Sequence, residues 1–118
     1  MISSFVQKPV TIDISGDPNL SEALDIQGLI PIGLEIPTSW TTSDVTLDGS
    51  VDGGATYRDI YDGDTEFVVA AVAANRIVMF EASQCLIGGL THLKVGSTTG
   101  QGADREVTVL LLDPHPRT

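Results

Sequence analysis

The chain has 118 residues, 16 of them acidic and 6 basic, for a formal net charge of −10. That length is one domain with a modest core, and 42% hydrophobic residues exclude a disordered composition. Six scattered Lys and Arg exclude a phosphate-neutralising nucleic-acid surface and attachment to an anionic membrane.

Met1 to Val10 contain no apolar core of signal-peptide length, and Lys8 follows the short apolar stretch instead of preceding it. Residues 1–9 read as an N-terminal arm whose Ile2, Phe5 and Val6 suit docking on a neighbour. Val10 to Ile14 alternates apolar and polar, as a half-buried strand does. Ser15 to Asn19 is turn chemistry, and Leu20 to Ile26 reads as an extended segment. In Leu29 to Ile36 the residues Ile30, Ile32, Leu34 and Ile36 share one face at period two. Pro31 has no N–H to donate, so this strand is expected at an edge or with a bulge. Pro37 to Ser43 is a polar connection around Trp40, which is expected to be exposed.

Val45 to Val51 alternates again, with Val45, Leu47 and Val51 as inward candidates. Asp52-Gly53-Gly54 signals a tight turn, and Ala55 to Tyr61 is the returning arm of a hairpin. Asp62-Gly63-Asp64 is a second turn, followed by strand-like runs at Glu66 to Val72 and Arg76 to Phe80. Glu81 to Gly89 reads as a loop, Leu90 to Val95 as an alternating strand, and Gly96 to Gly102 as a loop. Glu106 to Leu112 is the last strand, and residues 114–118 are a Pro-flanked tail. About eight short strands without βαβ alternation predict an all-β domain over residues 10–113. Its expected architecture is a single antiparallel β-sandwich, jelly-roll-like or of another strand order, since strand order is not written in periodicity. The longest apolar run, Phe67 to Ala74, is far short of the roughly 20 residues that cross a membrane.

Ser50-Val51-Asp52-Gly53-Gly54-Ala55-Thr56-Tyr57 has the Ser-x-Asp-x-Gly-x-Thr-aromatic spacing of an Asp-box. The Asp side chain can accept hydrogen bonds from turn amides, Gly supplies positive φ, and the aromatic packs beneath. In families that carry the box it is generally structural, and one copy cannot make the sialidase-like propeller that repeats it. The assigned residues are therefore Ser50, Asp52, Gly54, Thr56 and Tyr57, in a structural role. Trp40 and Tyr61 are the candidates for stacking on a sugar. Asp48, Asp52, Asp59, Asp62, Asp64 and Glu66 are candidates to gather Ca²⁺. They lack EF-hand spacing, and a solvated acidic face is the ordinary reading. Neither a metal nor a cofactor is expected.

Paired carboxylates for glycoside hydrolysis are easy to propose among 16 acids and discriminate nothing. No enzyme activity is expected. The lone Cys85 allows no internal disulfide and reads as a small buried hydrophobe, in keeping with folding in a reducing cytoplasm. His92 reads as a strand residue, and His115 lies in the tail.

The segment Ile36-Pro37-Thr38-Ser39-Trp40-Thr41, then Val45-Thr46-Leu47, then the hairpin Ser50 to Asp62 resemble a family of small structural proteins of tailed phages. Arg76 to Phe80, His92-Leu93-Lys94-Val95-Gly96-Ser97-Thr98 and Gln101 to Leu110 continue the pattern in order. Upstream, Leu20-Ser21-Glu22-Ala23-Leu24-Asp25 is similar to the family's opening segment. The chain departs from the pattern at Gly96, where the family usually has Arg, at His92, where an aromatic is common, and at Cys85, near a usual Phe. The resemblance implies a non-catalytic virion component of a tailed phage or a phage-like gene-transfer agent. Capsid decoration protein, head-spike base and tail or neck subunit are all compatible roles. The implied partners are other virion proteins and further copies of the chain in a homo-oligomer. The hairpin also looks like part of galactose-binding-like jelly rolls, which implies the alternative of a carbohydrate-binding module for host-surface glycan.

Overall fold

A computed structural model describes residues 4–80 and 89–114. Eleven strands are formed: β1 (Ser4–Ile12), β2 (Leu24–Asp25), β3 (Ile30–Ile36), β4 (Ser43–Ser50), β5 (Arg58–Asp59), β6 (Tyr61–Asp62), β7 (Thr65–Glu66), β8 (Val68–Val72), β9 (Arg76–Met79), β10 (His92–Ser97) and β11 (Arg105–Asp113). The described residues contain no helix. One sheet has the order β1-β11-β3-β9, and the other runs β2-β10-β4-β5 with β8 also paired to β4.

β5, β6 and β7 belong to an excursion between β4 and β8. Without them, eight principal strands remain: β1, β2, β3, β4, β8, β9, β10 and β11. The first pairs with the eighth, the second with the seventh, the third with the sixth and the fourth with the fifth, all antiparallel. That nesting is a jelly roll, one long antiparallel hairpin rolled into two facing sheets. The core lies between the sheets. Val10, Ile12, Leu34, Val107, Val109 and Leu111 from one sheet meet Val45, Leu47, Val72, Leu93 and Val95 from the other.

β1 starts at Ser4 and pairs through Ile12 with β11, so most of the expected N-terminal arm is sheet. The inward set continues back from Ile12 and Val10 to half-buried Lys8 and Val6. Lys8 occupies its inward slot by reaching the rim, where its ammonium donates to the Asp25 carbonyl at 2.9 Å. Ile14, expected in this strand, lies beyond it and is exposed. Cys85, His115 and nearly all of the expected loop Glu81 to Gly89 lie outside the described residues.

Pro31 sits in a central strand and carries the bulge. Leu110 pairs with Gly33 and Leu111 with Pro31, leaving Ile32 as the extra residue. The bulge shifts the alternation by one, so Pro31 and Leu34 are fully buried while Ile30 and Ile32 are only half-buried. The single apolar face expected for Ile30, Ile32, Leu34 and Ile36 is therefore split between the two sides of the sheet. At the neighbouring Gly33, an added Cβ would lie 2.7 Å from the Val78 carbonyl oxygen and 2.9 Å from the Met79 sulfur. Gly33→Ala is expected to cost about 1–3 kcal/mol by pushing β9 off β3, read as a lower urea midpoint with an unchanged slope.

Candidate functional site

The hairpin after β4 is braced by its own side chains. Ser50 Oγ donates to Asp52 Oδ1 at 2.7 Å and accepts from the Gly54 amide at 3.0 Å. The same Asp52 oxygen accepts from the Thr56 amide at 2.9 Å. Gly53 and Gly54 have φ of 76° and 90°, values that residues with a Cβ rarely adopt. A Cβ on Gly54 would also lie 3.2 Å from the Tyr57 hydroxyl and 3.5 Å from the His92 ring. Ser50, Asp52, Gly54, Thr56 and Tyr57 thus form one unit, with Tyr57 half-buried at its base.

The floor of this unit comes from β10 and the residue before it. The Thr91 hydroxyl accepts from the Gly53 amide at 3.1 Å and lies 3.2 Å from the Ser50 carbonyl, which it can donate to. The Thr91 amide donates to that carbonyl at 2.8 Å. The Lys94 ammonium lies over the Tyr57 ring, 4.4 Å from its centre, a cation–π contact. Nothing in the local sequence marks Thr91 or Lys94. They reach the hairpin because the β4–β10 register pairs His92 with Ser50 and Lys94 with Asp48.

Hydrogen bonds from the Ser50 hydroxyl and then the Thr56 amide hold the Asp52 carboxyl down at about 2. Asp52→Ala is expected to lower the unfolding midpoint and to speed amide exchange at Gly54 and Thr56. Unchanged stability together with lost partner binding would contradict the structural role.

Asp48 behaves in the opposite way. It stands directly opposite Asp59 across β4 and β5, where like charges repel. Burial, then a hydrogen bond to Asp59 and the Asp59 and Glu66 charges, push its carboxyl up to about 6, against the pull of Lys94. The folded chain therefore keeps a proton that the unfolded chain releases near 3.8, and stability falls as pH rises from about 4 to about 6. Asp52 acts on the other side: its stabilisation is lost as pH falls from about 4 towards 2. Between them these two groups place maximum stability near pH 4. Asp48→Asn should flatten the upper limb and exceed the parent at pH 7 by on the order of 1 kcal/mol, after discounting for solvent screening. Thermal unfolding between pH 3 and 8 checks both limbs.

The two sugar-stacking candidates part company. Tyr61 is 56% exposed on the short β6–β7 hairpin. Trp40 is 5% exposed, and its indole N–H donates to the Val72 carbonyl at 3.2 Å. This corrects the expectation of an exposed Trp40. The polar residues around it form the connection, while the ring fills the space between that connection and β8. Val51, an inward candidate, is 75% exposed, because β4 ends at Ser50 and the chain turns away. Among the described residues no group of three or more His, Cys, Asp or Glu is placed to hold a metal ion.

An open groove of about 640 Å³ runs beside β3 and β9, with Glu35, Asn75, Arg76 and Glu106 among its walls. It takes in none of the assigned site residues. Fold and hairpin together define an acidic, single-domain jelly-roll β-sandwich with one Asp-box. Comparison with protein-family models, with curated proteins and with solved structures finds no match.

Proposed function

We propose that the chain is a non-catalytic structural subunit of a phage or phage-like particle, as a capsid decoration protein or head-spike base that assembles through symmetric contacts. The observation that carries this reading is a jelly roll whose β1-β11-β3-β9 sheet leaves large apolar residues uncovered, with Phe5 75%, Ile77 62% and Met79 55% exposed. Jelly rolls recur in capsid and lectin domains, and fold alone does not choose between them. Exposed apolar area on a sheet face favours protein contact. The motif order from Leu20 to Leu112 supports the same reading, and a charge of −10 keeps free subunits soluble before assembly.

The test is mass spectrometry of particles banded by density from the source culture. The chain is expected in the particle band in a fixed ratio to the major capsid protein. Its recovery only from the soluble fraction would overturn the reading. The alternative, a host-glycan module, retains exposed Tyr61 but not Trp40 as a stacking surface. It predicts glycan-dependent stabilisation that Tyr61→Ala removes.

A further inference from the structure

We infer that the outer face of the β1-β11-β3-β9 sheet is a two-fold interface that binds a second copy of this chain. The inference deepens the assembly reading and rests on it for the choice of partner.

The register defines the face. Phe5 lies beside Leu112, which lies beside Ile30. In the next row, Gln7, Leu110, Gly33 and Met79 follow one another across the sheet. Pro9, Thr108, Glu35 and Ile77 make the third row. The first two rows contain no charged side chain, in a protein of net charge −10. Copies that repel one another elsewhere can approach here with little like-charge opposition. Glu35, Arg76 and Glu106 lie at the other end, around the polar groove.

Relief on the face is self-complementary. Phe5 stands out at 75% exposure beside a hollow of about 230 Å³ that it shares with Gln7, Ile32, Met79 and Leu110. A dry apolar cavity of roughly 150 Å³ takes a benzene ring, so the hollow has room for a phenyl group. A two-fold axis lying in the plane of the interface, midway between Phe5 and the hollow and at right angles to the line joining them, sends each Phe5 into the other copy's hollow. This is the reciprocal contact of an isologous dimer.

Area and edges agree with face-to-face docking. Four strands at ~4.8 Å spacing and up to ~30 Å long offer on the order of 500 Å² in plan. That is below the roughly 800 Å² per partner of a standard interface and suits a weak, reversible dimer. Strand addition at the β1 edge is disfavoured by Lys8 and by Pro9, which has no amide hydrogen.

Sedimentation velocity of the full chain over a range of concentrations, at low and high salt, tests the interface. The expected result is a monomer–dimer equilibrium in the micromolar range that tightens several-fold in high salt as the repulsion is screened. Phe5→Glu and Met79→Lys alter exposed positions, so folding should survive, as circular dichroism would check. Each should weaken the dimer at least tenfold. Val51→Glu, an equally exposed apolar site outside this sheet, should leave it unchanged. A monomer under every condition overturns the inference. So does a closed trimer or ring, or an oligomer that both face variants leave intact. In these last two cases the assembly reading stands while this interface falls. A dimer of the expected kind formed by a chain absent from particles leaves the interface standing and overturns the assembly reading.

Discussion

Trp40→Ala is expected to lose about 3–5 kcal/mol of folding stability, a third or more of what a domain of this size commonly has. Trp40 is 5% exposed and is held against β8 by its bond to the Val72 carbonyl. Its neighbourhood is also tied by the Asn75 amide, which donates to the Pro37 carbonyl at 3.0 Å. Removing the indole opens a cavity beneath the Pro37–Ser43 connection and leaves the Val72 carbonyl without that donor. Trp40→Phe keeps most of the apolar contact and should cost about 1–2 kcal/mol, largely the lost hydrogen bond. Urea unfolding followed by circular dichroism measures both. Because the chain has one Trp, the parent's fluorescence should also be blue-shifted and should move to the red on unfolding. A Trp40→Ala variant within 1 kcal/mol of the parent would contradict the core position and restore Trp40 as a surface aromatic.

Gln101→Leu is expected to cost about 2–4 kcal/mol, although it removes no apolar contact. The Gln101 side chain is 5% exposed and stitches two connections together at one end of the sandwich. Its amide nitrogen donates to the Thr41 carbonyl and to Ser97 Oγ, both at 3.0 Å. Its amide oxygen accepts from the Thr41 amide at 2.8 Å and from Arg105 Nε at 3.2 Å. Ser43 Oγ lies 2.9 Å from Ser97 Oγ and accepts from the Thr99 amide at 2.9 Å. Leucine fills the volume but strands buried donors and acceptors on both connections. Gln101→Glu keeps the acceptor and loses the donors, so it should also destabilise at neutral pH and recover partly in acid, where a protonated carboxyl can donate. Amide exchange at Thr41 and Thr99 should accelerate in both variants. Exchange that stays slow would show that the backbone holds these connections without the side chain.

The difference between these two residues shows what was legible beforehand. Trp40 stands in a run of Pro, Thr and Ser, and its surroundings in sequence predict exposure. Its surroundings in space are β8 and the core, more than thirty residues further along the chain. Gln101 lies in a Gly- and Thr-rich stretch with no local sign of burial, and its partners Thr41 and Ser97 come from the β3–β4 connection and the end of β10. Pro31 was half legible. A missing N–H predicts an edge or a bulge, and only the pairing of β3 with both β11 and β9 decides for the bulge.

The carboxylates separate in the same way. Asp52 belongs to a local motif, and its partners Ser50 and Thr56 lie two and four residues away, so its bracing role follows from spacing. Asp48 and Asp59 stand in the sequence only as two of six acidic candidates for Ca²⁺, with nothing to pair one with the other. Asp48 keeps its proton through burial and because the β4–β5 register sets Asp59 opposite it.

By itself the sequence determined what local chemistry can decide: an all-β chain of short strands, the turns at Gly53-Gly54 and Gly63, the self-braced hairpin and a strongly acidic surface. These depend on φ preferences, period-two alternation and hydrogen bonds a few residues long, all of which act before distant segments meet. Only the tertiary structure decided the nesting of the strands, the burial of Trp40 and Gln101, the Asp48–Asp59 pair and the uncovered apolar face formed by Phe5, Leu110 and Met79. Each of these is set by register between strands far apart in the chain. Register follows from the whole inward set seeking one core, so a single bulge at Ile32 or an earlier start to β1 changes which side chains meet water.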